Sequence, residues 1–172
     1  GWAIFNINYR LAAGNSNLFP TQELDVKAAT EYIFNRRGQF HISGKFVLVG
    51  ASAGGHLALL QGYKYNNPQV KAIVNFFGPT NMTDMYNNPL SPFIPPAIQA
   101  VVGATPTGNP TLYTQSSPIN FVSAQSPPTI TLQGGMDPLV SPAQQTALKA
   151  RLDANSVTNE YVFYPNEAHG WM

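Results

Sequence analysis

Phe46-Val47-Leu48-Val49-Gly50-Ala51-Ser52-Ala53-Gly54-Gly55 is the stretch on which the reading of this chain turns. Four apolar residues in a row suit a short strand buried on both faces of a parallel sheet. The run passes into Gly50-x-Ser52-x-Gly54, and a helical stretch follows through Leu57, Leu60 and Gln61 to Lys64. A turn this tight, from strand into helix, strains the backbone of the central serine. It also leaves little room for side chains two residues to either side. Ser52 would then project from the carboxyl end of the strand as a nucleophile. The next N–H, that of Ala53, would open the helix, where negative charge is favoured; this makes Ala53 the candidate oxyanion donor. Taken alone, the five-residue pattern reads equally well as a glycine-rich turn with an ordinary serine. The strand before it and the helix after it favour the nucleophile.

Working outward, strand and helix signals alternate with no internal repeat. Residues 2–8 (WAIFNIN) read as a strand in which Ile4, Phe5 and Ile7 suit buried positions. Thr21 suits the N-cap of a helix that has Glu23 and Asp25 in its first turn, an apolar face of Leu24, Ala28 and Tyr32, and an end at Arg36-Arg37-Gly38. Residues 70–77 (VKAIVNFF) form a second buried strand, 129–132 a third and 160–164 (EYVFY) a last one, with a helix over 142–152. Residues 79–128 are rich in proline and weakly periodic, with short helices expected near 83–86 and 96–102. A connection of that length is usually functional, and a cap-like insertion is the expectation. The fold class is α/β: one domain over residues 1–172, its mostly parallel sheet covered by helices.

A serine hydroxyl needs a base, and the base needs a group to orient it. Of the three histidines, His41 precedes the 46–49 strand, on the edge of the sheet away from Ser52. His56 sits one helical turn after Ser52 and reads better as a packing or hydrogen-bonding residue. His169 follows the last strand and so reaches the carboxyl edge, where open α/β sheets place their ligands. Among the acids, Asp25 suits a helix N-terminus, Asp84 lies in the irregular segment, Asp153 ends a helix and Glu167 suits a solvated loop. Asp137 follows the third strand directly, in Gly134-Gly135-Met136-Asp137, and shares the edge with Ser52 and His169. Each of the three follows a strand, in the chain order Ser, Asp, His, which distinguishes this arrangement from those of trypsin-like and subtilisin-like proteases.

Composition narrows the alternatives. The chain has 172 residues, 44% hydrophobic and 10% charged, enough apolar material for a core and too little charge for disorder. A net charge of +1 offers no electrostatic footprint for nucleic acid. No apolar run approaches the roughly 20 residues of a membrane helix. With no cysteine, disulfides and thiolate sites are excluded. Low charge and many Asn, Gln, Ser, Thr and Pro residues lean towards a secreted or periplasmic protein.

Several stretches together resemble α/β-hydrolase esterases, the group of acetylxylan and feruloyl esterase-like enzymes and hormone-sensitive-lipase-like carboxylesterases. They are Gly1-Trp2-Ala3 through Asn8-Tyr9-Arg10-Leu11, Val49 through His56, Phe77-Gly78-Pro79-Thr80, Ser117-Pro118-Ile119, Pro127-Pro128-Thr129 through Asp137-Pro138-Leu139-Val140, and His169-Gly170. The resemblance implies Ser52 as nucleophile, His169 as base and Asp137 as its partner, with no metal or organic cofactor. It implies a small-molecule or carbohydrate ester as substrate. In that group Gln133 is more often histidine. The group also has further strands, and a His-Gly-Gly loop of oxyanion donors, ahead of Asn8-Tyr9-Arg10. The strand leading to that loop lies between the 2–8 and 46–49 strands. No His-Gly-Gly occurs here. The sheet is therefore expected to be incomplete at both ends of the chain, weak in activity by itself and prone to self-association through an open edge. Met82, Met85, Tyr86, Phe93 and Ile94 suit either an acyl pocket or local packing of the long loop. Two other functions remain in view. One is a serine peptidase of prolyl-oligopeptidase type, disfavoured by Ala53, where a bulky aromatic is more usual. The other is a non-catalytic hydrolase-like binding domain.

Overall fold

The computed structural model describes residues 1–171. Its centre is a four-stranded sheet with all pairs parallel, in the spatial order of the chain. β1 is Phe46–Ala51, β2 Val70–Phe76, β3 Thr129–Gly134 and β4 Asn159–Tyr164. α1 (Thr21–Asn35) precedes the sheet and α2 (Ala53–Lys64) links β1 to β2. α3 (Met82–Asn87), α4 (Ile94–Val102) and α5 (Pro110–Gln115) stand between β2 and β3, and α6 (Pro142–Ala154) between β3 and β4. Among the described residues no helix is long and apolar enough to cross a membrane.

The main core lies where α2 and α6 meet the sheet. Leu59, Ile73 and Leu148 are fully buried there, with Tyr63, Val122 and Leu152 around them. A second cluster joins Met82 of α3, Ile94, Ile98 and Val102 of α4 and Tyr113 of α5. This cluster organises a segment that reads as irregular in sequence. Two of its helices, α3 and α5, begin with side-chain caps: Asn81 accepts from Asp84 N–H and Asn109 from Leu112 N–H.

Four sequence expectations change. Residues 2–8 form no strand. They take no regular secondary structure, with Trp2 and Ile4 among the most exposed apolar residues, because no strand among the described residues meets their backbone groups. β1 is not buried on both faces either. It is an edge strand and Val49 is 64% exposed. A groove of about 350 Å³ separates β1 from residues 5–9, with Val47, Val49, Phe5 and Ile7 on its walls and Leu57 and Ala58 at its floor. Thr21 is the first residue of α1 rather than its N-cap, because its N–H already turns back to the Leu18 carbonyl. Finally, α1 turns Leu24, Ala28 and Tyr32 outward and buries Gln22, Glu23, Val26 and Thr30. Partners make that polar face tolerable. Gln22 donates to the Arg10 and Asn17 carbonyls, and Glu23 pairs with Lys64 at 2.9 Å and accepts from the Tyr65 hydroxyl at 2.6 Å. Asp25 likewise does more than face a helix dipole. It holds the Arg10 guanidinium through two nitrogens and accepts Arg10 N–H, which draws its carboxyl down to about 2 and ties the N-terminal segment to α1.

Candidate active site

The carboxyl end of each strand delivers one element of the site. β1 runs into Ser52, whose φ of 54° and ψ of −121° lie outside the regions ordinary residues prefer. Two glycines allow this turn, though not the pair that the spacing suggests. A Cβ on Gly50 would sit 2.1 Å from the Gly54 carbonyl oxygen, and one on Gly55 would sit 2.4 Å from Asn75 Oδ1. A Cβ on Gly54 would meet nothing within 4 Å. The close approach is thus made by the backbone of Gly54 and by the body of Gly55, which lets α2 lie against β2.

β3 leads to Asp137 and β4 to His169. The structure brings both to Ser52: the Ser52 hydroxyl lies 2.8 Å from His169 Nε2, and His169 Nδ1 lies 2.8 Å from Asp137 Oδ2. With Nδ1–H donating to the carboxylate, Nε2 is left free to accept the serine proton. The Asp137 side chain is fully buried and its oxygens are fully engaged. Oδ1 accepts the N–H groups of Leu139 and Val140 at 2.8 and 2.9 Å, and Oδ2 accepts Gln133 Nε2 at 3.0 Å besides His169. Such bonding keeps a buried carboxylate in one position and offsets its desolvation.

Gln133 is a residue whose role the sequence did not reveal. It is fully buried, and its amide nitrogen also reaches the Gly134 and Val140 carbonyls, bracing the loop that presents Asp137. Its Oε1 has no partner among the described residues. The available signal was a glutamine inside an apolar strand, which must find partners if it is buried. Asn75 belongs to the same class. It sits fully buried on β2, donates to Gln145 of α6 and accepts Gly78 N–H. Gln144 accepts the Thr80 and Asn81 N–H groups. Together these amides clamp the turn that follows β2.

Ala53 opens α2 directly after Ser52, so its N–H belongs to the first turn, whose N–H groups have no partner within the helix. His56 is not part of the line. Its Nε2–H donates to the Ser116 carbonyl at 2.6 Å, and burial holds its imidazole below the ordinary histidine range. His41 is exposed, and Asp84 and Asp153 bond to Gln144 and Lys149 away from Ser52. Met82 and Ile94 are consumed by the helical cluster, with Met85 and Tyr86 packed on it, so local packing accounts for these four; Phe93 is 79% exposed and stands outside the cluster. An apolar recess of about 160 Å³ instead lies beside Ala53, between Leu11, Phe19, Leu57 and Val101.

Known proteins resemble this chain in sequence and in fold. Esterase LipQ of Mycobacterium tuberculosis is 30% identical over 99% of the chain, which spans 43% of that protein's length. A truncated carbohydrate esterase from gut microbiota superposes with a TM-score of 0.81 at 27% identity, over 95% of this chain and 65% of that one. An acetyl ester-xyloside bifunctional hydrolase from Caldicellulosiruptor lactoaceticus gives 0.79 at 23% identity, over 95% and 61%. The strand order, the helical covering and these likenesses are those of an α/β-hydrolase fold. The BD-FAE family model matches residues 1–152, and the chain belongs to that family.

Proposed function

We propose that this chain carries the catalytic centre of a serine-dependent carboxylic ester hydrolase, with Ser52 as nucleophile, His169 as base and Asp137 as its orienting acid. The observation that carries the reading is the line from Ser52 Oγ through His169 to Asp137, with both hydrogen bonds at 2.8 Å. Ser52 Oγ attacks the acyl carbon and its proton passes to His169 Nε2. The tetrahedral oxyanion forms against the Ala53 N–H. The carbon–oxygen bond to the alcohol then breaks as His169 returns the proton to the leaving oxygen. Water, deprotonated by His169, attacks the acyl-serine; the bond from the acyl carbon to Ser52 Oγ then breaks as His169 returns the proton to Oγ, releasing the acid. Asp137 keeps Nδ1 protonated and balances the charge of the imidazolium.

Esters of short acyl groups, or of acetylated or feruloylated carbohydrates, are the proposed substrates. The recess beside Ala53 has room for a small acyl group, and a similar protein of known structure is a carbohydrate esterase. Residues 79–128, with α3 to α5, are the proposed cap of a single domain. The chain spans less than half of LipQ. We propose that a further segment of the protein crosses the groove beside β1 and supplies a second oxyanion donor. One such donor is worth ~10²–10³ in rate. The 172 residues alone would then turn over weakly, and the free edge of β1 would invite self-association.

The test is hydrolysis of p-nitrophenyl acetate and longer acyl esters by this chain, by the protein extended at its N-terminus, and by Ser52→Ala in each. Turnover in the extended protein that disappears with Ser52→Ala is expected, with a weaker signal from the short chain. Turnover that survives Ser52→Ala, or its absence on every ester, would overturn the reading.

A further inference from the structure

We infer that Phe77 is a positioning residue for His169, holding the imidazole in the plane that joins Ser52 to Asp137. The inference rests on the roles proposed above for those three residues. Phe77 is the first residue after β2, and its φ is +43°, a left-handed conformation that a bulky side chain rarely adopts. The surrounding backbone holds it there. Its N–H donates to the Leu132 carbonyl of β3 at 2.8 Å. The carbonyl before it, that of Phe76, accepts the Ser52 N–H at 2.8 Å. The residue after it, Gly78, donates to Asn75 Oδ1 at 3.0 Å and accepts Gln145 Nε2 at 2.7 Å. One three-residue turn therefore ties the backbone of Ser52 to the strand that leads to Asp137.

The side chain completes the junction. Its ring centroid lies 4.6 Å from that of His169, with the planes tilted by 57°. Trp171 also packs on the phenyl ring, at 5.2 Å, and itself rests on Tyr164 at 5.0 Å. His169 stands in a loop beyond β4, and its two hydrogen bonds run from opposite ends of the imidazole. Two such bonds fix an axis but leave rotation about it. A phenyl ring packed 4.6 Å from its centroid restricts that rotation. Filling a core requires none of this backbone distortion. Aiming a ring from the end of β2 at an imidazole in the loop beyond β4 accounts for it.

The experiment compares Phe77→Leu, Phe77→Asn, Phe77→Tyr and Phe77→Trp in the full protein. Leu keeps apolar bulk without a ring, and Asn accepts the left-handed backbone without a ring. Expected is a kcat lower by ~10- to 100-fold for Leu and Asn at little changed KM, with Tyr and Trp within about threefold of the parent. Asn, free of the backbone strain, should melt no lower than Leu yet turn over as slowly. A Leu variant with parental kcat, or losses that follow melting temperature and not the presence of a ring, would overturn the inference. Failure of the ester hydrolase reading would show separately, as turnover that does not depend on Ser52. The positioning can then be read without turnover, from the far-downfield proton resonance of His169 Nδ1–H. Its exchange with water should quicken in Phe77→Leu and not in Phe77→Tyr; equal exchange in both would overturn the inference.

Discussion

Residues 2–8 (WAIFNIN) and β4 (NEYVFY) are short segments of similar aromatic and apolar character, and they lie on opposite flanks of the sheet. β4 pairs along its whole length with β3, from Thr129 opposite Asn159 to Gly134 opposite Tyr164. Residues 2–8 join no strand among the described residues and leave Ile4 89% exposed. Side-chain pattern makes a segment fit to be a strand, but a neighbour's N–H and C=O groups make it one. The difference carries into the site. The β3–β4 flank holds Asp137 and His169 with every carboxylate oxygen bonded. The β1 flank presents Ser52 and the Ala53 N–H beside an open groove.

If the β3–β4 flank is where the chemistry is tuned, the largest effect should come from its carboxylate. Asp137→Asn replaces an acceptor by an amide that cannot hold His169 Nδ1 protonated. Kcat on p-nitrophenyl acetate is expected to fall about 10⁴-fold, as loss of the orienting carboxylate does in such triads. A fall of less than tenfold would remove Asp137 from the proposed mechanism.

Stability should be as lopsided as the site. Leu148, fully buried where α6 meets the sheet, should cost about 2–5 kcal/mol on Leu148→Ala. Ile4→Ala on the unpaired segment should stay within about 0.5 kcal/mol. Denaturant melts of the two variants check this, and equal losses would mean that residues 2–8 are packed in solution.

A finer contrast lies within the turn at Ser52. Gly55→Ala pushes a methyl group into Asn75 and should cost about 1–3 kcal/mol. Gly54→Ala meets open space and, in the first turn of α2, should be neutral or stabilise by about 0.5–1 kcal/mol. The order reversed would show that the turn relaxes around a methyl group at Gly55 but not at Gly54.

These contrasts also mark how far the sequence could be read. β1 to β4 and the approach of Ser52, Asp137 and His169 were legible because each residue lies in the turn or loop after a strand, and parallel strands put their carboxyl ends on one edge. The Gly50-x-Ser52-x-Gly54 pattern located the turn but not the roles of its glycines. Those depend on Asn75, which comes near only when α2 folds over β2. α1 misled because its buried face is polar: Glu23 needs Lys64 and Tyr65, and Gln22 needs two carbonyls, none of them visible in local periodicity. Phe77 and Gln133 were silent for a related reason. Each acts through a contact with another strand or loop, and neither residue type announces a chemical role.

The smallest expected effect bears on the open flank itself. Val49 is exposed on the edge strand and lines the groove. A lysine there puts a charge where an incoming strand would pack, which is how natural sheet edges discourage pairing. In the 172-residue chain, Val49→Lys should leave the unfolding free energy within about 0.5 kcal/mol of the parent, since the side chain already meets water. Sedimentation should then shift towards the monomer, if association runs through β1. In the protein extended at its N-terminus the same substitution should be clearly destabilising if a further segment of the chain occupies the groove, because the lysine would then be buried against it. Equal, negligible effects in both lengths would mean that the groove stays open in the longer protein, and would send the search for a second oxyanion donor elsewhere.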